Sequence, residues 1–406
     1  MWDGRERGRD VDTANRAVGE GARMVAADAL TAASGAPRCG RRDLGPGDGS
    51  IEPQPDRSRG RGSRYLGTFC ERSVEERRRS QRILHVASTP PPPGAAIIPA
   101  MRILVTGASG FVGTALIPAL RRAGHDLRGL ARDPGRVSQR LPVVVGDVLT
   151  GAGLDEALDG IDVAYYLVHS MEASADGTSF SDRERASAER FADAAARAGL
   201  RRLVYLGVMV DEDRDPTPHL RSRLEVERTL LAATPESLAL RASIAIGHRS
   251  RSFRFLVRLV ERMPVLALPP WREHRTQPID QRDVIAALAA AAAVDLTDEP
   301  RRSLDVAGPD VLSYGQMIER IRDAMVVGRP TLPFPWAITP IAGRVAAVLA
   351  GESEDLVLPL MSGLTGDLVA RDDRWTSLLG VRPHRFDAAV ERALADWERF
   401  ERLAAR

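Results

Sequence analysis

Two sets of residues in this 406-residue chain have types and spacing that could do chemistry. The first is Val105-Thr106-Gly107-Ala108-Ser109-Gly110-Phe111-Val112-Gly113, a G-x-x-G-x-x-G run that follows an apolar stretch and opens a helical one. Glycines at 107 and 110 permit a tight turn and close approach of a pyrophosphate. Gly113 lets helix and strand pack closely, and the helix start, with Ser109, Phe111 and Val112, offers free N–H groups at a positive dipole end. A plain strand-to-helix turn is the alternative. The second set is His219 with Arg223 four residues later, on one helix face. A histidine titrates near neutrality and could pass a proton, while an arginine beside it disfavours the imidazolium and could hold a ribose hydroxyl or a phosphate. A capped helix-start histidine and a surface Arg223–Glu227 pair worth about 0.3–0.5 kcal/mol are the structural alternatives.

Further positions refine the ligand. An acid at the end of the second strand would hold the adenosine ribose hydroxyls, but Arg132 stands there, nineteen residues after Gly113. A guanidinium suits a 2′-phosphate, so NADP (as NADPH) is expected, and Asp133 keeps NAD open. Asp147, followed by Val148, closes the third strand and could accept from the adenine amino group or cap the next turn. Tyr165, Tyr166, His169 and Ser170 end the fourth strand, where ligands bind in open α/β sheets. His169 is assigned to the cofactor, Tyr166 to the substrate and Tyr165 to strand packing. Ser243, after the sixth strand, and Trp271, in a proline-rich apolar loop, are further substrate candidates.

The elements that must position these groups alternate. Arg102–Thr106, Asp126–Ala131, Pro142–Val145, Asp162–Val168, Arg202–Gly207 and Leu238–Ala242 read as strands separated by helices. One helix, Ser181–Ala198, has Ser181 and Glu184 spaced as a capping box and stops at Gly199. The alternation implies an α/β Rossmann-type doubly wound parallel sheet over 101–310. Residues 245–280 join 311–406 in a smaller C-terminal helical substrate lobe, with helices at Phe253–Met263, Ser313–Ala324, Trp336–Ala350 and Asp387–Leu403. Trp336 and Met361 belong to its apolar interior or lining. Met1–Ala100 is rich in Gly, Arg, Asp and Ser and ends in four prolines, so it reads as a disordered or non-native extension, with Met101 opening the first strand directly.

Composition excludes several classes. The sequence contains no lysine, so the 57 basic residues are all arginines and Schiff-base chemistry is ruled out. Both cysteines, Cys39 and Cys70, precede residue 100, and the histidines lack metal-ligand spacing, so no metal is expected. The N-terminal arginines are interleaved with acids, which argues against a nucleic-acid partner, and no apolar run reaches membrane-spanning length. A cytoplasmic location and a small-molecule substrate follow as expectations. Nothing here defines the oligomeric state.

The run from Met101 to Gly113, the Gly146-Asp147 pair, Ala164-Tyr-Tyr-Leu-Val-His-Ser-Met171, Pro218-His-Leu-Arg-Ser-Arg223, Leu240-Arg-Ala-Ser243, Gln277-Pro-Ile-Asp280 and Leu304-Asp-Val-Ala-Gly-Pro309 together resemble the atypical short-chain dehydrogenase/reductases. The likeness is to the NAD(P)H-binding, NmrA-like and epimerase-like branch, and it covers most of 101–406. It implies a nicotinamide dinucleotide cofactor and a substrate lobe over the nicotinamide end. Active members of that superfamily carry Tyr-x-x-x-Lys, the lysine lowering the tyrosine pKa. Here His219-x-x-x-Arg223 occupies the expected place. The resemblance therefore implies either an NADPH-dependent reductase of a small apolar carbonyl or quinone, with His219 relaying the proton, or a non-catalytic dinucleotide sensor or assembly subunit like the accessory subunit of respiratory complex I. An epimerase or dehydratase would need the missing pair.

Overall fold

Strands whose central residues are apolar on both faces, as at Ile103, Leu104 and Val105 and in Val163–Tyr166, are buried only inside a three-layer sandwich, and that is what the sequence forms. The computed structural model describes residues 99–169, 179–211, 213–333, 364 and 366–403. These belong to one unit, Gly94–Arg406. The extension expected before Met101, Ser170, Met171, the helix expected at Trp336–Ala350 and Met361 lie outside the described residues, apart from Pro99 and Ala100.

The strands are Arg102–Thr106 (β1), Asp126–Ala131 (β2), Val143–Val145 (β3), Val163–Tyr166 (β4), Arg202–Val208 (β5), Glu236–Ala242 (β6) and, later in the chain, Arg301–Val306 (β11). They pair in parallel in the order β11-β6-β5-β4-β1-β2-β3. The order reverses direction between β1 and β4, which opens a crevice at their C-terminal ends. Helices Phe111–Arg122 (α1), Leu154–Leu158 (α2), Phe180–Arg197 (α3), Pro218–Ala232 (α4), Gln281–Ala291 (α6) and Arg374–Leu379 (α8) cover the two faces.

Alternation along each strand divides the core. Ile103, Val105, Val163 and Tyr165 pack with Leu116 and Ile117 of α1, Leu288 of α6 and Trp375 of α8. Leu104, Ala164, Tyr166 and Tyr205 face the other way, against Ala188 and Phe191 of α3 and Val226 of α4. Burying each large aliphatic side chain contributes about 1.5–3 kcal/mol. The polar end of Tyr165 is satisfied too, because its hydroxyl donates to Leu288 O at 2.7 Å.

A third cluster joins Ile246, Phe253, Leu268, Tyr314, Ile318 and Trp397. It is built from Arg251–Arg262 (α5), Tyr314–Ala324 (α7) and Phe386–Glu398 (α9) with three two-stranded ladders. The segment expected to be an irregular proline-rich loop, Pro264–Trp271, contains strand Leu266–Leu268 (β8), paired in parallel with Thr331–Pro333 (β13), and leads into a 3-10 turn at Pro270–Glu273.

Two local expectations are corrected. Helix α3 is capped by Ser179, whose hydroxyl accepts from Asp182 N, and not by a Ser181–Glu184 box. Glu184 lies on the stripe of Ala188 and Phe191 and is buried. The Arg223–Glu227 surface pair offered as the alternative for Arg223 does not form either. Glu227 is 3% exposed and receives both Arg241 Nε and Arg241 Nη2, at 2.7–3.0 Å, together with the Ser303 hydroxyl at 2.6 Å. This pair locks α4 to β6 and β11, and it holds the helix carrying His219. Arg241→Met would leave the buried Glu227 charge without its cation, with only the Ser303 hydroxyl still donating to it, and should cost about 3–5 kcal/mol in urea unfolding, with Glu227→Gln in the same chain recovering much of it. A loss below 1 kcal/mol would contradict this role.

Candidate functional site

The glycine run forms a cradle whose shape depends on having no side chains. Gly107 adopts φ +66°, and a Cβ there would meet Leu167 O at 2.9 Å. A Cβ at Gly113 would lie 2.3 Å from Gly107 O, so α1 starts in backbone contact with the turn. Gly110 N donates to Gly107 O at 2.9 Å and closes the loop. Gly110 is also the N-cap of α1; it supplies no side-chain cap, and the first turn carries no acid. The leading N–H groups of α1 are thus left to an external acceptor, which is the condition for binding a pyrophosphate. Ser109 and Gly110 are exposed, whereas Phe111 and Val112 are half-buried.

Thr106, which sequence reasoning passed over, sets the width of the crevice. Its hydroxyl donates to Tyr165 O at 2.9 Å and accepts from Leu167 N at 3.1 Å, clasping the ends of β1 and β4. Its signal in the sequence was a lone hydroxyl ending an apolar strand. At the end of β2, Arg132 is exposed. Beside it, Asp133 caps the Pro134–Arg136 turn by accepting from Gly135 N at 2.8 Å, so one of its oxygens is already engaged. Asp147 caps its own turn by accepting from Leu149 N at 2.8 Å and remains half-buried. Val148 is 6% exposed and packs in the core, which leaves it only backbone to offer a ligand.

Past the end of β4, His169 Nδ1 lies 3.0 Å from Glu184 Oε1 and 3.1 Å from Arg223 Nη1. Arg223 Nη1 donates to the same Glu184 oxygen at 2.8 Å, its Nη2 to Leu206 O at 3.3 Å, and its guanidinium sits 5.2 Å over the Tyr205 ring. Ser222 donates to the second Glu184 oxygen at 3.3 Å. His219 joins through rings: its centroid is 5.8 Å from His169 and 5.5 Å from Phe180. The structure thus brings His169, His219 and Arg223 together and adds Glu184.

The electrostatics alter the expected roles. Burial, the neighbouring His169 and Arg223 lower the His219 pKa to about 4, so it is a neutral imidazole near neutrality and not the titrating acid expected from its type. Burial likewise lowers His169, with Arg223 acting in the same sense against the Glu184 hydrogen bond. Burial alone would raise Glu184, but the His169 hydrogen bond and the Arg223 charge hold it below the usual carboxylate range. Arg223 is 4% exposed and committed to Glu184, so it is not placed to hold a ribose or a phosphate, which corrects that expectation.

The substrate candidates separate. Tyr166 is 3% exposed and packs edge-on against Phe191 at 5.1 Å, which makes it core and not cleft lining. Ser243 is half-buried and continues the sheet through its N–H to Val306 O at 3.2 Å. Trp271 stands half-buried against Tyr314 at 6.4 Å on the rim of the third core. A cleft of about 230 Å³ lies along the lead-in to α4, with Val210, Leu220 and Leu368 beside the charged Asp211, Arg214, Asp215 and Asp367 in its lining. No described helix is long and apolar enough to cross a membrane.

The His219 shift has a stability consequence. The unfolded chain takes up this proton near pH 6.5 and the folded chain only near pH 4, so the unfolded state binds more protons between those values and stability falls as pH drops through that window. His219→Asn should flatten that fall by on the order of 1 kcal/mol, the group being partly screened by solvent. An unchanged difference between unfolding at pH 6.5 and pH 4 would contradict the neutral assignment.

Comparison with known proteins agrees with the cradle. A family profile described as NAD(P)H-binding matches residues 107–243. A (4-alkanoyl-5-oxo-2,5-dihydrofuran-3-yl)methyl phosphate reductase of Streptomyces griseus is 30% identical over 238 residues, covering 56% of this chain and 74% of the relative. A mitochondrial NADH dehydrogenase [ubiquinone] 1 alpha subcomplex subunit 9 of Arabidopsis thaliana is 26% identical over 254 residues, 59% of this chain and 62% of that protein. Among solved structures, the Citrobacter triphenylmethane reductase complexed with NADP(H) has the same fold, with a TM-score of 0.56 at 15% identity over 72% of this chain and 99% of that one.

Proposed function

The chain belongs to the NAD(P)H-binding, atypical short-chain dehydrogenase/reductase family, and from that premise we propose that it is an NADPH-dependent reductase of a small, largely apolar carbonyl or quinone-like substrate. The observation that carries the reading is the side-chain-free cradle at Gly107, Gly110 and Gly113 under an uncapped, acid-free helix start, which suits a dinucleotide pyrophosphate. The reductase named among the relatives supports the reaction class. Arg132 is exposed at the end of β2, which supports its reading a 2′-phosphate, and Asp133, the competing carboxylate, caps a turn through Gly135 N.

In this reading Gly107, Ser109, Gly110, Phe111, Val112 and Gly113 hold the pyrophosphate through backbone, Arg132 the 2′-phosphate, and Asp147 the adenine side. The bound dinucleotide supplies the hydride, and the chain supplies orientation and the proton. His219 serves as a neutral hydrogen-bond donor to the carbonyl oxygen. A neutral imidazole polarises a carbonyl without needing an acid pH, and the lowered pKa keeps it in that form. Tyr-x-x-x-Lys reaches a similar end by a different route, using a lysine charge to make a phenol transferable.

A second reading, a non-catalytic dinucleotide-binding subunit, is favoured by the similarity to the plant NADH dehydrogenase subunit and by the missing tyrosine-lysine pair. Calorimetry should show NADPH binding more tightly than NADH, and Arg132→Ala should remove roughly a tenfold preference; equal affinities in the parent chain would reject the NADPH assignment. Against a panel of aldehydes and quinones, His219→Ala should lower kcat on the order of 10²-fold while NADPH still binds. NADPH binding with no turnover of any acceptor would favour the subunit reading.

A further inference from the structure

The network under the crevice contains more than an ion pair needs. Glu184 and Arg223 neutralise each other at 2.8 Å, yet a histidine is also bonded to the shared oxygen. Exposure shows which member can act. The side chains of Glu184 and Arg223 are each 5% exposed, while His169 is 33% exposed. The buried charges therefore meet solvent through the imidazole.

The hydrogen bonds fix where its proton sits. Arginine only donates, and Glu184, held ionised, only accepts. If Nδ1 of His169 lacked a proton, its lone pair would face the Glu184 oxygen at 3.0 Å, two acceptors in contact. With the proton on Nδ1, both His169 and Arg223 donate to Oε1, and the 3.1 Å between Nδ1 and Nη1 is the separation of two donors that share one carboxylate oxygen. Burial and the charges of Arg223 and Arg251 favour a single ring proton, against the pull of Glu184. The other ring nitrogen, Nε2, then carries a lone pair on the edge turned from the ion pair.

Resting on the reductase reading, we propose that Glu184, braced by Arg223, is a positioning residue that locks His169 in the Nδ1–H tautomer and makes Nε2 of His169 the proton acceptor of the site. Carbonyl reduction needs a hydride at carbon and a proton at oxygen. The carbonyl π pair moves to oxygen, which takes the N–H proton of His219, and His219 regains a proton at its second nitrogen from His169. Nε2 of His169 takes that proton from solvent and passes the same one on, so His169 ends as it began, while His219 ends with its proton on the other nitrogen and returns to its starting tautomer by exchange with solvent before the next turnover. Glu184 offsets the transient positive charge on His169, as a carboxylate does behind other catalytic imidazoles. With 5.8 Å between ring centroids, the transfer between the two histidines runs through one bridging water.

The test is nitrogen-detected NMR of the full chain labelled at histidine, the His169 signals being assigned by their loss in His169→Gln. The expected result is a neutral ring with the proton on Nδ1, the minority tautomer of free histidine. Glu184→Gln should shift the population toward Nε2–H, lower kcat for reduction at least tenfold, and leave NADPH affinity within about twofold. Wild-type His169 found as Nε2–H, or averaging between tautomers, overturns the proposal even if Glu184→Gln fails to fold. A tautomer that shifts in Glu184→Gln without any change in kcat overturns the relay. Wild-type protein that shows the Nδ1–H ring and no turnover supports the lock and sinks the reductase reading instead.

Discussion

Gly113 touches Gly107 so closely that a single methyl group there would stand 2.3 Å from a carbonyl oxygen. Most of the site follows from that approach. It brings the start of α1 onto the turn after β1, next to the point where the strand order reverses. Thr106 then clasps the end of β4 to β1, setting the distance between the cradle and the strand end from which His169 projects. Backbone geometry decides where a dinucleotide fits, and side chains decide what happens beside it.

The second constraint is charge. A chain without lysine cannot lower a tyrosine pKa in the manner of its superfamily, and four of its five tyrosines, Tyr165, Tyr166, Tyr205 and Tyr314, have their pKa pushed upward by burial. The position of the usual lysine is filled by Arg223, which is sequestered by Glu184 and stacked over Tyr205. Two neutral histidines remain at the surface of this balanced pair. The arrangement leaves two weak, neutral groups beside a buried, mutually neutralised ion pair in place of an exposed cation.

Much of the fold was legible because its strands are buried on both faces. Arg102–Thr106 and Asp126–Ala131 are apolar-rich stretches bounded by turn residues, and their limits are those of β1 and β2. β4 ends at Tyr166, two residues earlier than the apolar pattern, because Thr106 captures the N–H of Leu167. β11 was hidden by Arg301, Arg302 and Asp305, charges that the structure resolves by burying Asp305 against Arg371. The glycine loop was legible because its residue types follow from backbone geometry. Glu184 was not, since an acid in Phe180–Arg197 looks like surface; only its register with Ala188 and Phe191 marks it as inward-facing. The alternative partner for Arg223, Glu227, comes from i,i+4 spacing alone, and three-dimensional packing supplies Glu184 instead.

The central claim is that the cradle at the start of α1 binds a nicotinamide dinucleotide through backbone N–H groups. Residue-resolved amide hydrogen exchange on the full chain, with and without saturating NADP⁺, tests it most directly. Exchange should slow across Gly107–Thr114 and around Arg132, with α9 in the far lobe unchanged. Exchange at Gly107–Thr114 that is the same with and without NADP⁺ would contradict the account.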